Sequence, residues 1–153
     1  MKNLFLLGCF FIGKIVFSQE ITLKNGLYVQ NEVAYTGNYT MYFETGAKKE
    51  VLSVKNGKLD GEVVKYYENG NKREVGNYES NLKFGLWTRF NTSGILIAEA
   101  SYKNDKKDGT WFVYDDNGTK LFKMEYKDGE KTGTWTQWDE NGSVVKSTNY
   151  ASL

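Results

Sequence analysis

Glycine recurs every 24 residues along most of this sequence, and this period constrains the fold more than any other feature. A second glycine column follows the first by nine residues. Aromatic or apolar residues recur two, five and seventeen residues after the first column. Such self-similarity indicates tandem copies of one structural unit. The first column consists of Gly37, Gly61, Gly85, Gly109 and Gly133. We therefore assign five units, at residues 36–59, 60–83, 84–107, 108–131 and 132–153.

Each unit predicts two β-strands and two turns. TWFVYDD (110–116) is rich in β-branched and aromatic residues, and LFKMEY (121–126) alternates in polarity, as strands do. Asn117-Gly118 lies between them and favours a tight hairpin turn, and we interpret the glycines generally as turn positions. The predicted fold is all-β: an elongated single-layer antiparallel β-meander of tandem 24-residue hairpin repeats. Residues 19–35 add one or more starting strands.

Two aromatic columns are the candidate contact residues. The first places three tryptophans in one file along the ribbon, and the second places three aromatic rings in another. In a single layer these rings cover one another, and an exposed aromatic stripe also marks a contact surface. The candidates are Trp87, Trp111 and Trp135 in the first file, Phe90, Tyr114 and Trp138 in the second, and Tyr150 near the last strand's end.

The phrase Gly-x-Trp-x-x-[Tyr/Phe/Trp]-x-x-x-Gly at this period resembles the MORN repeat in its bacterial variant form. The sequence is similar to the YwqK-like antitoxin components of toxin–antitoxin systems. This resemblance implies one elongated, twisted antiparallel sheet that neutralises a toxin by direct contact. Tyr39 and Val63 depart from the pattern, since tryptophan is expected at both positions. ESNLKFG (79–85) departs as well, because the usual Lys/Asp/Gly linker is missing there.

Residues 1–18 read as a secretory signal peptide. A charged start is followed by an apolar run from Leu4 to Gly13, which is too short to span a bilayer, and by Val16-Phe17-Ser18. We expect cleavage after Ser18 and a location in the periplasm, the cell envelope or the medium. The mature chain would then have no cysteine and no histidine, because Cys9 lies in the apolar run. Disulfides, thiol nucleophiles and Cys/His metal sites are excluded from it.

Charge and motif patterns further restrict the function. Removal of Lys2 and Lys14 changes the formal charge from +1 to −1, which argues against nucleic-acid binding. Asp115-Asp116-Asn117-Gly118 lacks the spacing of a calcium loop and fits a hairpin turn. No nucleophile elbow or phosphate loop is present in the sequence. We therefore expect no enzymatic activity, metal or cofactor.

Two functions remain open at the level of sequence. The first is a binding module or scaffold whose partner is another protein, such as a toxin, with self-association through the C-terminal edge strand as a further expectation. The second is peripheral attachment to anionic lipids, as the MORN resemblance also implies. Lysines of the linkers between units, such as Lys103 and Lys127, are interleaved with carboxylates, such as Asp105 and Asp128. This mixture of charges would bind lipid headgroups only weakly.

Overall fold

The computed structural model describes residues 20–151, and every regular element in this range is a β-strand. Ten strands form one open antiparallel sheet in which each strand pairs with its neighbours in sequence. This arrangement confirms the predicted all-β single-sheet meander. Its strands are β4 (Gly37–Tyr42), β5 (Lys48–Lys55), β6 (Lys58–Tyr66), β7 (Lys72–Glu79), β8 (Leu82–Phe90), β9 (Leu96–Lys103), β10 (Lys106–Tyr114), β11 (Lys120–Lys127), β12 (Glu130–Trp138) and β13 (Val144–Tyr150).

The segment expected to supply starting strands forms a small sheet of its own. Its three strands are β1 (Thr22–Lys24), β2 (Leu27–Gln30) and β3 (Val33–Ala34). This sheet is tied to the turn between β5 and β6, because the Tyr28 N–H donates to the Gly57 carbonyl and the Gly57 N–H donates to the Tyr35 carbonyl, both at 2.8 Å. The predicted signal peptide lies outside the described residues.

Two kinds of turn alternate along the main sheet. In the longer kind, the Asp115 carboxylate accepts the N–H groups of Asn117 and Thr119 at 2.9 and 2.8 Å, and Gly118 adopts a φ of +87°. In the shorter kind, two residues with positive φ join the strands, as Asn104 and Asp105 do between β9 and β10. Such residues are favoured in two-residue hairpin turns. The Asp115 side chain thus has a structural task within the turn.

The first glycine column lies within strands, so the interpretation of these glycines as turn residues is wrong for this column. Between the pairs Phe84–Asn77 and Thr88–Val75, three residues of β8 face one residue of β7. Gly85 lies in this bulge with a φ of +68°, which is the left-handed region that side chains disfavour. The same count of three residues against one recurs at the bulges that contain Gly61, Gly109 and Gly133.

A small apolar core lies at the N-terminal end of the ribbon. Leu52, Val54 and Val63 are buried there, and tyrosines of the small sheet and its linker pack against them. Val63 is 1% exposed. Tyr28 contacts Tyr39 with ring centroids 6.0 Å apart. The two positions that depart from the repeat pattern, Tyr39 and Val63, therefore fit this local packing.

The described residues include no helix that is long and apolar enough to cross a membrane.

Gly76 supplies the space for the Trp87 ring. A Cβ atom at Gly76 would lie 2.1 Å from Cδ2 of Trp87, so Gly76→Ala should destabilise the fold by about 3 kcal/mol through overpacking. Gly46→Ala is the matched control, because its added Cβ meets nothing within 4 Å and its φ of +84° should cost roughly 1 kcal/mol. Urea unfolding of both variants measures the difference, and equal losses would contradict this packing.

Candidate binding surface

One continuous series of aromatic rings runs across seven successive strands of the sheet. Neighbouring ring centroids are 5.1, 6.3, 5.2, 5.4, 5.1 and 4.9 Å apart, in chain order. We call this series the ladder, and the side of the sheet that carries it the ladder face. Its members are Tyr78, Trp87, Tyr102, Trp111, Tyr126, Trp135 and Tyr150.

The ladder merges two columns that sequence reasoning treated separately. Trp87, Trp111 and Trp135 were expected to form one file, but each successive pair is separated by a tyrosine of the column seventeen residues after the first glycine. Each such tyrosine faces a bulge glycine on the preceding strand, as Tyr102 faces Gly85. An aromatic ring opposite a strand glycine covers the surface that the missing side chain leaves open. The tyrosine column was visible in the sequence, but its place between the tryptophans depends on strand register.

Each tryptophan of the ladder also forms a hydrogen bond beside a bulge. The Nε1–H groups of Trp87, Trp111 and Trp135 donate to the carbonyls of Asn77, Ser101 and Glu125 at 3.2, 2.9 and 3.0 Å. The acceptor is in every case the residue ten positions earlier, on the preceding strand. Because the bulge interrupts the regular backbone pairing there, the indole supplies a donor in place of a backbone N–H group.

Three lysines lie over the rings of the ladder. The Lys83 ammonium is 4.1 Å from the Trp87 ring centroid and 4.9 Å from that of Tyr102. The Lys107 ammonium lies in the same way over the rings of Trp111 and Tyr126, and the Lys131 ammonium lies over those of Trp135 and Tyr150. Cation–π attraction holds these ammonium groups on the ladder. From the sequence, the linker lysines were interpreted only as part of a mixed-charge surface, and Lys83 was overlooked. Yet Lys83, Lys107 and Lys131 all lie four residues before the tryptophan column.

The second aromatic file lies at the opposite ends of the strands, where Phe90, Tyr114 and Trp138 are the last residues of β8, β10 and β12. Within the described chain these three rings do not contact one another; Tyr114 instead contacts Phe112, with centroids 6.2 Å apart. The Tyr114 hydroxyl donates to Oε2 of Glu99 at 2.5 Å. Burial, together with this hydrogen bond and the Glu99 charge, raises the pKa of Tyr114 to about 12.

Small side chains open a hollow between Trp87 and Trp111 on the ladder face. Ala98 and Ala100 of β9 form its floor, and the volume is about 350 Å³. A second hollow, of about 160 Å³, lies at the C-terminal end of the sheet between Phe122, Trp135 and Tyr150. Depressions with apolar floors and aromatic walls are typical of sites that receive a partner's side chains.

Charged residues border the first hollow. Lys65 and Glu74 form an ion pair with Nζ and Oε2 3.2 Å apart, and Arg89 is the cross-strand neighbour of Glu74. In the described part of the chain Arg89 has no carboxylate within ion-pair distance. The hollow therefore combines an apolar floor, aromatic walls and a guanidinium group that is available to a partner.

The repeated part of the sequence matches a known protein family. A family described as MORN repeat variant matches residues 59–80, 85–104, 107–128 and 131–151, which together make up more than half of the sequence. No curated protein matches this sequence.

The raised pKa of Tyr114 predicts a loss of stability at high pH. The pKa of Tyr114 in the folded protein, about 12, exceeds the ordinary value of 10.0. Its contribution to the free energy of unfolding is therefore complete below pH 10 and is lost as the pH rises towards 12. Burial also raises the pKa values of Tyr78 and Tyr102, which add to this trend.

Tyr114→Phe should therefore reduce the slope of unfolding free energy against pH between about 10 and 12. Glu99→Gln should move the Tyr114 titration, followed by absorbance, back towards its ordinary pKa. A slope in Tyr114→Phe equal to that of the wild type would contradict the assignment.

Proposed function

This chain belongs to the MORN repeat variant family, and from that premise we propose that it is a non-catalytic binding module whose ladder face docks another protein. The observation that supports this proposal best is the hollow between Trp87 and Trp111, with its alanine floor and the unpaired Arg89 at its border. Stacked repeats present extended surfaces suited to such docking.

The chemistry of the hollow favours a protein segment as the occupant. A partner's apolar side chain would bury the surface of Ala98 and Ala100 against two tryptophan rings. A neighbouring carboxylate of the partner would pair with Arg89. Aromatic and arginine residues that line a depression are the usual sources of binding energy at protein interfaces.

The C-terminal end of the ribbon extends the proposed docking region. β13 is an edge strand of the main sheet, and the second hollow is lined by its residues Lys146, Thr148 and Tyr150. An added strand of a partner, or of a second copy, would hydrogen-bond to the open side of β13 and lie beside this hollow. Trp138, at the end of the neighbouring strand, is near the same edge.

The non-catalytic role is supported by the tasks that the carboxylates already perform. Glu74 is paired with Lys65, and the Asp115 carboxylate accepts backbone N–H groups of its turn. That turn holds the pKa of Asp115 below its ordinary value, chiefly through the hydrogen bond from Thr119. Both carboxylates stabilise the ribbon, and the lowered pKa of Asp115 makes it a poor general acid near neutral pH.

The proposed export of this protein determines the compartment in which its docking face would meet a partner. If the first 18 residues are removed as a signal peptide, the docking face acts in the cell envelope or outside the cell. The finer form of the proposal is therefore an exported relative of the YwqK-like antitoxins, which neutralises an incoming toxin by contact. The intact mass of the exported protein tests the export step: a chain that begins at Gln19 supports it, and a retained Met1 or a lipid on Cys9 contradicts it.

Attachment to anionic lipid is the alternative outcome. Lys83, Lys107 and Lys131 present positive charge on the ladder face, but each is held over two rings. An ammonium group engaged in this way is less free to reach a headgroup. Co-sedimentation with anionic vesicles over a salt series distinguishes the two functions, and strong salt-sensitive binding would favour the lipid.

Filling the hollow between Trp87 and Trp111 should weaken partner binding. Ala98→Arg places a long side chain over the alanine floor. It should reduce the amount of partner captured from an envelope extract at least about tenfold, with the melting temperature of the variant little changed. Ser147→Arg is the matched control, because Ser147 is exposed on the opposite side of the sheet. Equal retention of the partner by both variants would contradict docking at this hollow.

A further inference from the structure

One strand exposes three large apolar side chains on the side of the sheet opposite the ladder. Leu82, Phe84 and Leu86 of β8 are 40%, 47% and 50% exposed. Lys83 between the first two lies over the ladder, and successive strand residues point to opposite faces. We call these three residues the β8 patch. At the same places in the neighbouring units stand Lys58, Asp60, Glu62, Lys106, Asp108 and Thr110.

The polar residue that Phe84 replaces has a defined task in three other units. Oδ2 of Asp108 accepts the Asp128 N–H, Oδ2 of Asp60 accepts the Ser80 N–H, and Oγ1 of Thr36 accepts the Asn56 N–H, at 3.2, 3.2 and 2.9 Å. Each bond anchors a turn twenty residues further along the chain. A phenylalanine cannot accept this bond from Asn104. The chain has therefore given up a turn anchor and exposed a phenyl ring in the same unit.

Two charged residues beside the β8 patch, Lys103 and Glu79, also depart from the pattern of the repeat. Lys127 pairs with Asp108 at 3.0 Å, and its equivalent one unit earlier, Lys103, has Phe84 where that carboxylate would be. One unit earlier again, the equivalent residue is Glu79 of β7, next to the strand that contains Asp60. The same position is lysine in three units, at Lys55, Lys103 and Lys127. Within residues 20–151 neither Lys103 nor Glu79 forms an ion pair.

We propose that the β8 patch is the interface of a homodimer, in which a second copy of this chain packs face to face and pairs Glu79 with the partner's Lys103. Glu79 ends β7 on one side of β8, and Lys103 ends β9 on the other side. A two-fold axis parallel to β8, between the facing sheets, superposes β7 of one copy on β9 of the other. Each unpaired charge then meets its opposite, so the surface is self-complementary.

The hydrophobic effect supplies the attraction in this dimer. Exposed leucine and phenylalanine side chains that replace polar residues in a regular repeat mark a contact surface. The patch lies on the face opposite the ladder, so the dimer leaves both hollows open. Dimerisation through the β8 patch is therefore independent of the function proposed for the ladder face.

Restoring the residues of the neighbouring units provides the first test. The triple variant Leu82→Lys, Phe84→Asp, Leu86→Thr should be monomeric in sedimentation velocity at concentrations where the wild type is dimeric. Its monomer should remain folded, since the Asp can again anchor the following turn and pair with Lys103. A wild type that is monomeric up to its solubility limit overturns the proposal, and so does a triple variant that stays dimeric.

A charge exchange tests the geometry of the interface. Glu79→Lys and Lys103→Glu should each weaken dimerisation about tenfold or more at low salt, because like charges then face each other. The double variant should recover most of the wild-type affinity, since both pairs are restored with opposite sign. A double variant that is weaker than either single variant contradicts the proposed two-fold arrangement.

Discussion

The bond from a tryptophan indole to a carbonyl beside a bulge is the interaction on which the rest of the structure depends. A bulge bends the strand and interrupts its ladder of backbone hydrogen bonds, and an unpaired buried carbonyl is costly. The indole N–H groups of Trp87, Trp111 and Trp135 satisfy these carbonyls by donating to them from the adjacent strand. The same rings then lie against the tyrosines that cover the bulge glycines. In each of the last three units, one side chain thus makes both the bend and the packing possible.

This arrangement explains how one layer of strands holds together without a large core. Few side chains are fully buried, and Trp87 at 3% exposure is one of them. Beyond the N-terminal cluster around Val63, the ladder takes the place of a core, since neighbouring rings cover one another and a lysine lies over every ring from Trp87 to Tyr150. Both faces of such a sheet remain accessible. The hollows on one face and the β8 patch on the other are available to different partners for this reason.

The sequence predicted the period, the antiparallel meander and the turns of the second glycine column, because these features depend on neighbouring residues alone. The bulges were not predicted, since a glycine with positive φ gives the same sequence signal in a strand as in a turn. The alternation of Trp87 with Tyr102 also escaped prediction, because it depends on the register of different strands. The departure of residues 79–85 from the repeat pattern was visible in the sequence. Its interpretation as a contact surface depends on the structure, which shows that Phe84 is exposed and that Lys103 lacks the carboxylate with which Lys127 pairs.

Hydrogen exchange of the four indole N–H groups, followed by NMR, tests the central role of the indole bonds most directly. Trp87, Trp111 and Trp135 donate to backbone carbonyls, whereas the indole of Trp138 has no acceptor in the described chain and serves as an internal control. We expect slow exchange for the first three groups and fast exchange for Trp138. Similar fast exchange at all four positions would contradict the central role of the indole bonds.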